Sequence, residues 1–161
     1  MPATYDSIAS TTLGSAVATV EFSGISGSYT DIIAVINSTL ASSSGAVQGI
    51  INSDTATNYS WTRLVGNGSA ASSDRVSSTT SMFLGDASTT PTTIIIHFQN
   101  YSNTTTNKTV IARNNDSTSR VTATVNLWRS TSAITTIKFQ NNAAVNFAIG
   151  STFTLYGIKA A

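Results

Sequence analysis

The sequence predicts an all-β domain, a β-sandwich of the jelly-roll kind with about ten strands. Hydrophobic residues recur at alternate positions in short segments, and Gly, Asn and Ser clusters separate these segments every 8–12 residues. Ile, Val and Thr are abundant, and no segment has the 3–4 residue spacing of an amphipathic helix. Two packed sheets accommodate strands with one or two apolar faces, which favours a jelly roll.

Residues 1–14 are predicted to be an irregular N-terminal arm, and the strands begin after them. The apolar run 32–36 indicates a central strand, and Pro91 stands at a strand entrance, where a missing N–H does least harm. The polar stretch 66–80 is predicted to be a long loop. Strands are predicted over 16–22, 29–36, 46–51, 59–65, 81–84, 92–99, 108–113, 121–128, 133–139, 145–149 and 151–159, with turns between them, including one over 114–119.

The last predicted strand, 151–159, has the clearest pattern. Phe153 and Leu155 point to one side, whereas Thr and Tyr occupy the positions between and around them. Only Ala160 and Ala161 follow, and a terminal strand of this kind is usually held inside a sheet. We therefore expect Phe153 and Leu155 in the core.

The composition indicates one folded domain over residues 1–161. Charged residues make up 9% of the chain, against an average near 25%, and the net charge is +1. Disordered chains combine low hydrophobicity with high net charge, so this one is expected to fold. Its eight basic residues are scattered rather than clustered, which argues against nucleic acid as a partner. Cysteine is absent, which excludes disulfides and thiolate metal sites.

Neither a membrane span nor a secretion signal is predicted. The longest apolar run, 32–36, is far shorter than the ~20 residues of a spanning helix. The first residues, Met-Pro-Ala-Thr-Tyr-Asp, have no basic segment followed by an apolar one. We expect a soluble protein that is made in the cytoplasm and has no membrane partner.

No catalytic residue is predicted. The single histidine, His97, lies between Ile96 and Phe98 and is expected to be a structural or interface residue, because a general base also needs an orienting carboxylate and a nucleophile. The acidic residues are isolated in the sequence, and most lie in turn-like segments where Asp caps the backbone. These observations argue against an enzyme, although a carboxylate pair of the glycosidase type could still be assembled by the fold.

Metal sites and cofactors are not predicted either. The segment 52–58 has oxygen ligands at alternate positions, loosely as in a calcium loop, but lacks the glycine and the distal Glu. The segment 114–116 is similar and shorter. Turn chemistry explains both segments better in a chain this rich in Asn and Ser.

Four aromatic residues are candidates for a sugar-binding surface, because amphipathic rings suit wet binding faces. The alternative for Trp61 and Trp128 is a place in the sandwich core or at a subunit contact. The four residues are Tyr59, Trp61, Tyr101 and Trp128.

Seven Asn-X-Ser/Thr triplets fit the glycosylation pattern. Without a secretion signal we interpret them as a result of composition, useful only for locating surface loops. They begin at Asn37, Asn58, Asn67, Asn100, Asn103, Asn107 and Asn115.

Three parts of the sequence together carry a resemblance to a known family. They are 3–15, then 58–60 with 66–69, 99–106 and 108–110, and finally 150–159. With these stretches the chain resembles short structural proteins of tailed bacteriophages, including those that infect cyanobacteria. The resemblance implies a virion component, either a capsid decoration (cement) protein or a small fibre or spike module, and a β-sandwich homotrimer. It supplies no functional residues.

The expected function is therefore that of a capsid decoration protein, whose partners are its own copies and the major capsid protein. It is expected in the virion after synthesis in the host bacterial cytoplasm. The low charge agrees with this role, because neutral hydrogen bonds are little affected by salt and repeated copies repel one another weakly. The alternative is a receptor- or glycan-binding fibre module, with a host surface glycan held by the loops 69–80 and 100–107. A bacterial cell-surface module is less favoured because no export signal is found.

Overall fold

The computed structural model describes residues 4–116 and 120–159, and in these residues the protein is a β-sandwich of twelve strands without a helix. No helix of this part of the chain could therefore cross a membrane. The strands are β1 Tyr5–Thr12, β2 Thr19–Phe22, β3 Asp31–Ser38, β4 Gly45–Ile51, β5 Tyr59–Gly66, β6 Ala71–Thr79, β7 Met82–Ala87, β8 Thr92–Phe98, β9 Lys108–Asp116, β10 Arg120–Trp128, β11 Ile137–Asn141 and β12 Thr152–Ile158.

Two antiparallel sheets of unequal width form the sandwich. The large sheet has eight strands in the order β1-β12-β3-β8-β9-β10-β5-β6, and the small sheet has four in the order β2-β11-β4-β7. Strand β7, at the edge of the small sheet, packs against β9 and β10 of the large one. The predicted all-β sandwich is thus confirmed. The jelly-roll connectivity is not confirmed by these strand orders and stays a prediction.

The closing strand lies where its alternation predicted. β12 is held between β1 and β3, and the side chains of Phe153 and Leu155 are fully buried. Phe153 contacts Phe139 of the small sheet and Phe147, with ring centroids 5.9 and 5.0 Å apart. The core between the sheets is therefore organised around this strand. Ala160 and Ala161 lie outside the described residues.

The predicted irregular arm over 1–14 is wrong for most of its length, because residues 5–12 form β1. This strand pairs with β12 at one edge of the large sheet, with a bulge between Ser7 and Ala9. Leu13 follows it and is buried, with its backbone bonded to Ser151. Polar side chains at an outer edge supply no apolar period, so the pattern did not reveal the strand. Residues 1–3 lie outside the described part.

The predicted loop over 66–80 is also wrong, because most of it forms the edge strand β6. A tight turn at Asn67 reverses the chain, and its Oδ1 accepts the backbone N–H groups of Ser69 and Ala70. Every residue of β6 except the last is exposed. A strand that buries nothing shows no hydrophobic period, which is why its sequence resembles a loop.

Other predicted boundaries also differ from those of the structure. Residues 145–149 form no strand; Phe147 only makes isolated bridges to Val17 and Leu40. The strand predicted over 133–139 begins at Ile137 instead. β9 continues to Asp116, so the predicted turn over 114–119 is wrong for 114–116, and residues 117–119 lie outside the described part.

Candidate binding surfaces

Over residues 121–126, strand β10 directs its aliphatic side chains outward and its polar side chains inward, and Trp128 at its end is buried on the inner face. Val121 and Val125 are 61% and 52% exposed, on the side of the large sheet that faces away from the small one. Thr122, Thr124 and Asn126, which alternate with them, are buried between the sheets. Soluble domains normally show the reverse orientation, so the outer side of this strand is a candidate contact surface.

The neighbouring strands extend this surface. Leu64 on β5 pairs with Ala123 and is 62% exposed, and Ile111 on β9 pairs with Val125 and is 38% exposed. The five residues that define this apolar outer face are Leu64, Ile111, Val121, Ala123 and Val125. An open groove of about 650 Å³ crosses this face and is lined by residues of β5, β6, β9 and β10.

Charged residues at the border of the apolar outer face are few and basic. Arg113 pairs with Ala123 from β9, and Arg75 pairs with Thr62 from β6. Both side chains belong to exposed residues, and the Arg75 guanidinium donates to Ser77 Oγ at 3.0 and 3.3 Å. The face is therefore apolar at its centre with cationic groups beside it.

The inward polar residues of β10 connect the two sheets. Asn126 Oδ1 accepts the backbone N–H of Phe83 on β7 at 2.9 Å, and Thr122 Oγ1 donates to Asp86 at 3.3 Å. Thr124 Oγ1 is buried without a hydrogen-bond partner among the described residues. Because buried polar groups need such partners, these contacts fix which side of β10 faces inward.

A second candidate surface is a cleft where the large sheet extends beyond β7. β5 contributes Trp61 and Arg63, and β7 contributes Phe83 and Asp86. We call it the Trp61 cleft; its volume is about 440 Å³. Arg120 from β10 and Asn142 from the segment after β11 also line it.

Arg63 organises one wall of the Trp61 cleft. Its guanidinium forms a two-point ion pair with Asp74 of β6, with N–O distances of 2.6 and 3.1 Å. The same group lies 4.7 Å from the ring centre of Phe83 and 5.7 Å from that of Trp61. Stacking and the ion pair together hold Arg63 in place.

Asp86 is the acceptor at the centre of the Trp61 cleft. Its oxygens lie 3.8 Å from Arg63 Nη1 and 3.7 Å from Arg120 Nε. Both distances exceed those of a direct hydrogen bond, so the Asp86 carboxylate is attracted by two cations without being saturated by them. Its side chain is 16% exposed.

The loop compared with a calcium loop is a network of internal hydrogen bonds. Asn52 Oδ1 accepts the backbone N–H groups of Thr135 and Thr136. Asp54 accepts hydrogen bonds from Asn58 and from the indole of Trp128, and these lower the pKa of its carboxyl, Asn58 contributing most. The oxygens of this loop are thus engaged by protein donors. No group of three His, Asp or Glu suited to a metal occurs in the described residues.

Three of the four aromatic candidates lie in the interior. Tyr59 and Trp128 stack on each other with centroids 6.4 Å apart, and Tyr101 is fully buried with its hydroxyl donating to the carbonyl of Ser26. Trp61 is half-buried and lines the cleft. The core alternative is therefore confirmed for Trp128, and Trp61 is the one of the four that a ligand can reach.

His97 joins two strands of the large sheet. Its Nε2 lies 2.9 Å from Asp31 at the start of β3, and the other oxygen of Asp31 accepts the backbone N–H of Asn100. The histidine thus has a carboxylate partner, which lies 66 residues away in the sequence and was not predicted. The pair fastens the end of β8 and the following turn to β3.

The stretches 69–80 and 100–107, which the sequence suggested as one glycan site, reach the same end of the large sheet. Residues 71–79 form β6, whose last residue, Thr79, pairs with Tyr59. Tyr59 pairs with Trp128, and Trp128 pairs with Lys108, directly after the 100–107 segment. Strands β5 and β10 lie between the two stretches, and a glycan site shared by them stays a prediction.

Lys108 is a buried cation that sequence reasoning missed. It is 1% exposed at the start of β9, and its Nζ donates to the carbonyls of Thr106 and Thr131 at 2.8 and 3.1 Å. Burial lowers the pKa of its ammonium group. Its polar neighbours in the sequence gave no signal of burial.

Comparison with known proteins assigns no family. No family model and no curated protein matches the chain. Among solved structures, a protein of unknown function from Shewanella oneidensis MR-1 has 13% identity and a TM-score of 0.31, covering 98% of this chain and 80% of its own. An alginate lyase mutant in complex with an alginate tetrasaccharide has 9% identity and a TM-score of 0.28, covering 98% and 75%. Similarities this weak carry no functional argument.

Proposed function

We propose that the protein is a structural component of a bacteriophage virion, a capsid decoration protein that works as a homotrimer. The observation that carries the proposal is the apolar outer face, whose Leu64, Val121 and Val125 are more than half exposed in a single copy of the chain. Exposed apolar patches of this kind mark association surfaces. The resemblance to phage structural proteins supplies the biological setting.

The dimensions of the large sheet suit a subunit contact. Strands lie ~4.8 Å apart and rise ~3.4 Å per residue, so eight strands with three outward residues each cover roughly 38 by 20 Å. That area, on the order of 750 Å², is the whole outer side of the sheet, of which the apolar outer face is the part on β9, β10 and β5; it approaches the ~800 Å² per partner of a standard interface. Half-buried Ile33, Val35 and Ile95 continue the apolar character on β3 and β8. A second copy of the chain is therefore the occupant we propose.

Edge strands give a further reason for assembly. β1 and β6 border the large sheet, and natural proteins cover, charge or pair such edges. Asp74 and Arg75 are the charged residues of β6. Identical subunits arranged in a closed ring would cover these edges as well as the apolar outer face.

Light scattering coupled to size exclusion tests the oligomer. We expect a mass of about three chains at micromolar concentration, whereas a mass near the 16.7 kDa of one chain would refute the trimer. The double variant Val121→Lys, Leu64→Lys should give monomers because it places charges on the apolar outer face. Thr104→Lys, on an exposed turn, adds charge elsewhere and should leave the mass unchanged.

A binding assay with empty phage capsids tests the decoration role. The purified protein should sediment with capsids and raise the temperature at which they disassemble. Antibody labelling of whole virions should place it over the head. Labelling confined to a fibre, without capsid binding, would refute the decoration role.

The second candidate function is a receptor- or glycan-binding module of a phage fibre. The Trp61 cleft favours it, because this cleft combines a reachable aromatic ring with charged hydrogen-bonding groups. Binding of labelled protein to host cells and to a glycan array tests this candidate. No binding in either assay would refute it.

A further inference from the structure

We infer that the Trp61 cleft is a binding site for an uncharged saccharide with neighbouring hydroxyl groups. This inference deepens the second candidate function and rests on it for the biological source of the sugar. It concerns one ligand class and a few side chains: Trp61 as the stacking platform, and Asp86, Arg120 and Asn142 as hydrogen-bonding groups.

The shape of the Trp61 cleft suits a ligand of one to a few sugar rings. Its volume of about 440 Å³ lies within the ~300–1,000 Å³ of small-molecule sites. Its floor is the inner face of β5 and β10, and one wall is β7 of the small sheet. Most of the lining residues lie on paired strands, which favours a preformed site; Ser44 and Asn142 lie just outside strands β4 and β11.

Trp61 provides the apolar part of the site. The ring of Phe83 lies under the Arg63 guanidinium at 4.7 Å, so that ring is already covered. Trp61 lies 5.2 Å from Phe83 in a tilted arrangement and remains partly exposed. The Arg63 guanidinium lies 5.7 Å from the centre of the indole ring, and the part of the partly exposed indole that faces the cleft would contact the C–H face of a pyranose.

Asp86 and its two cations provide the polar part. A carboxylate oxygen accepts hydrogen bonds from hydroxyl groups at ~2.7 Å. Asp86 already accepts one from Thr122 Oγ1 at 3.3 Å, and its two guanidinium contacts are longer, at 3.7 and 3.8 Å, so its two oxygens keep lone pairs for a ligand hydroxyl. One sugar hydroxyl could donate to Asp86 while the adjacent sugar hydroxyl accepts from Arg120. The side chain of Arg120 is 40% exposed. Asn142 Oδ1 accepts the Ala46 N–H at 2.7 Å, which leaves the NH₂ group of the amide as a donor.

The charge balance decides the ligand class. Arg63 and Arg120 are matched by Asp74 and Asp86, so the formal charge of the cleft is zero. A phosphate or uronate would have to approach Asp86, and like charges in a partly desolvated cleft disfavour binding. An uncharged polyol uses both the acceptor and the donors without that cost.

Fluorine NMR of protein labelled with 5-fluorotryptophan tests the inference directly, because the chain has two tryptophans. Trp128 is 2% exposed and its indole donates to Asp54 at 2.7 Å, so its signal is an internal control. The probes are neutral oligosaccharides of glucose, galactose, mannose and N-acetylglucosamine, with oligogalacturonate as the charged counterpart. We expect a saturable shift of the Trp61 signal with a neutral probe and none of the Trp128 signal.

Variants separate the cleft from the rest of the surface. Asp86→Asn should weaken binding about tenfold or more, the usual effect of losing a hydrogen bond to a charged group. Trp61→Ala should remove binding to an immobilised form of the same probe. Thr104→Lys, on an exposed turn outside both candidate surfaces, should change neither result. Thermal unfolding of each variant shows that the fold is retained.

Three results would overturn the inference. They are tighter binding of oligogalacturonate than of every neutral probe, an equal shift of both tryptophan signals, or no shift up to about 50 mM, where a ligand of ~1 mM affinity would saturate the site. If the Trp61→Ala variant still binds host cells, the fibre module would be supported and the Trp61 cleft would be refuted as its binding site. Saccharide binding by a protein that labels only the capsid shell would refute the fibre candidate and keep the site.

Discussion

Replacing Tyr59 by Phe tests two effects of its buried hydroxyl on the free energy of unfolding: the hydrogen bonds that it makes, and its ionisation at high pH. Tyr59 is fully buried; its hydroxyl accepts the Ile51 N–H at 3.0 Å and lies 3.1 Å from the Asp54 carbonyl, to which it donates. Burial, the main cause, raises the pKa of Tyr59 to about 12 from 10.0. Tyr59→Phe removes both the hydrogen bonds and the ionisable group.

The two contributions have different pH dependences. At pH 7 the variant should be less stable by about 1–3 kcal/mol, because the buried Ile51 N–H loses its partner. The folded pKa of Tyr59 lies above the unfolded one, so its stabilising contribution is complete below pH 10 and is lost as the pH rises through about 12. That loss amounts to about 2 kcal/mol by pH 12 and cannot occur in the variant.

Urea unfolding of wild type and Tyr59→Phe at pH 7, 10, 11 and 12 measures both terms. At pH 7 the wild type should have the higher free energy of unfolding. At pH 12 its advantage over Tyr59→Phe should be smaller by about 2 kcal/mol. Burial raises the pKa of Tyr101 too, but that residue titrates in both proteins and cancels. A gap that stays constant from pH 7 to pH 12 would refute the assignment of the alkaline loss to Tyr59.

Three further predictions concern the core, a close contact and metal independence. Leu155→Ala should lower the free energy of unfolding by about 2–5 kcal/mol, and an unchanged melting temperature would contradict the core position of Leu155. Gly157→Ala should lower the free energy of unfolding by about 1–3 kcal/mol, because a Cβ at this position would clash with the ring of Tyr29. Gly66→Ala is the control, because a Cβ there has its nearest neighbour at 3.6 Å. Equal losses of stability in the two variants would rule out the clash. Unfolding curves with and without excess EDTA should coincide, and a large drop with EDTA would indicate a metal at the 52–58 loop.

The sequence predicted the elements that bury an apolar face and missed those that do not. Phe153 and Leu155 alternate with polar residues around a buried side, so their strand and its place in the core could be predicted. β1 and β6 lie at the two edges of the large sheet and carry polar side chains, so neither has a hydrophobic period. Edge strands of this kind are held by backbone hydrogen bonds, and the pattern of side chains in the sequence does not reveal those bonds.

The Trp61 cleft was only partly predictable. Trp61 could be proposed as a binding aromatic from its chemistry, but the segments that meet it are far apart in the chain. Asp86, Arg120 and Asn142 come from β7, β10 and the segment after β11. Each is a single polar residue in a polar sequence, and only the pairing of β10 with β5 and the packing of β7 bring them together. The same holds for His97 and Asp31.

Strand β10 shows why a clean alternation does not settle which side is buried. A period of two defines two faces, and hydrophobicity alone would turn Val121 and Val125 inward. The fold does the opposite: Trp128, on the same face as Thr122 and Asn126, is buried against Tyr59, and the Asn126 amide and the Thr122 hydroxyl bond to β7. Reversing the strand would bury Val121 at the expense of these contacts. The inner face of β10 thus makes the contacts with β5 and β7, and its aliphatic outer face is covered by no other part of the described chain. A contact with another chain would bury it, which is why we propose the subunit interface there and not at the charged cleft.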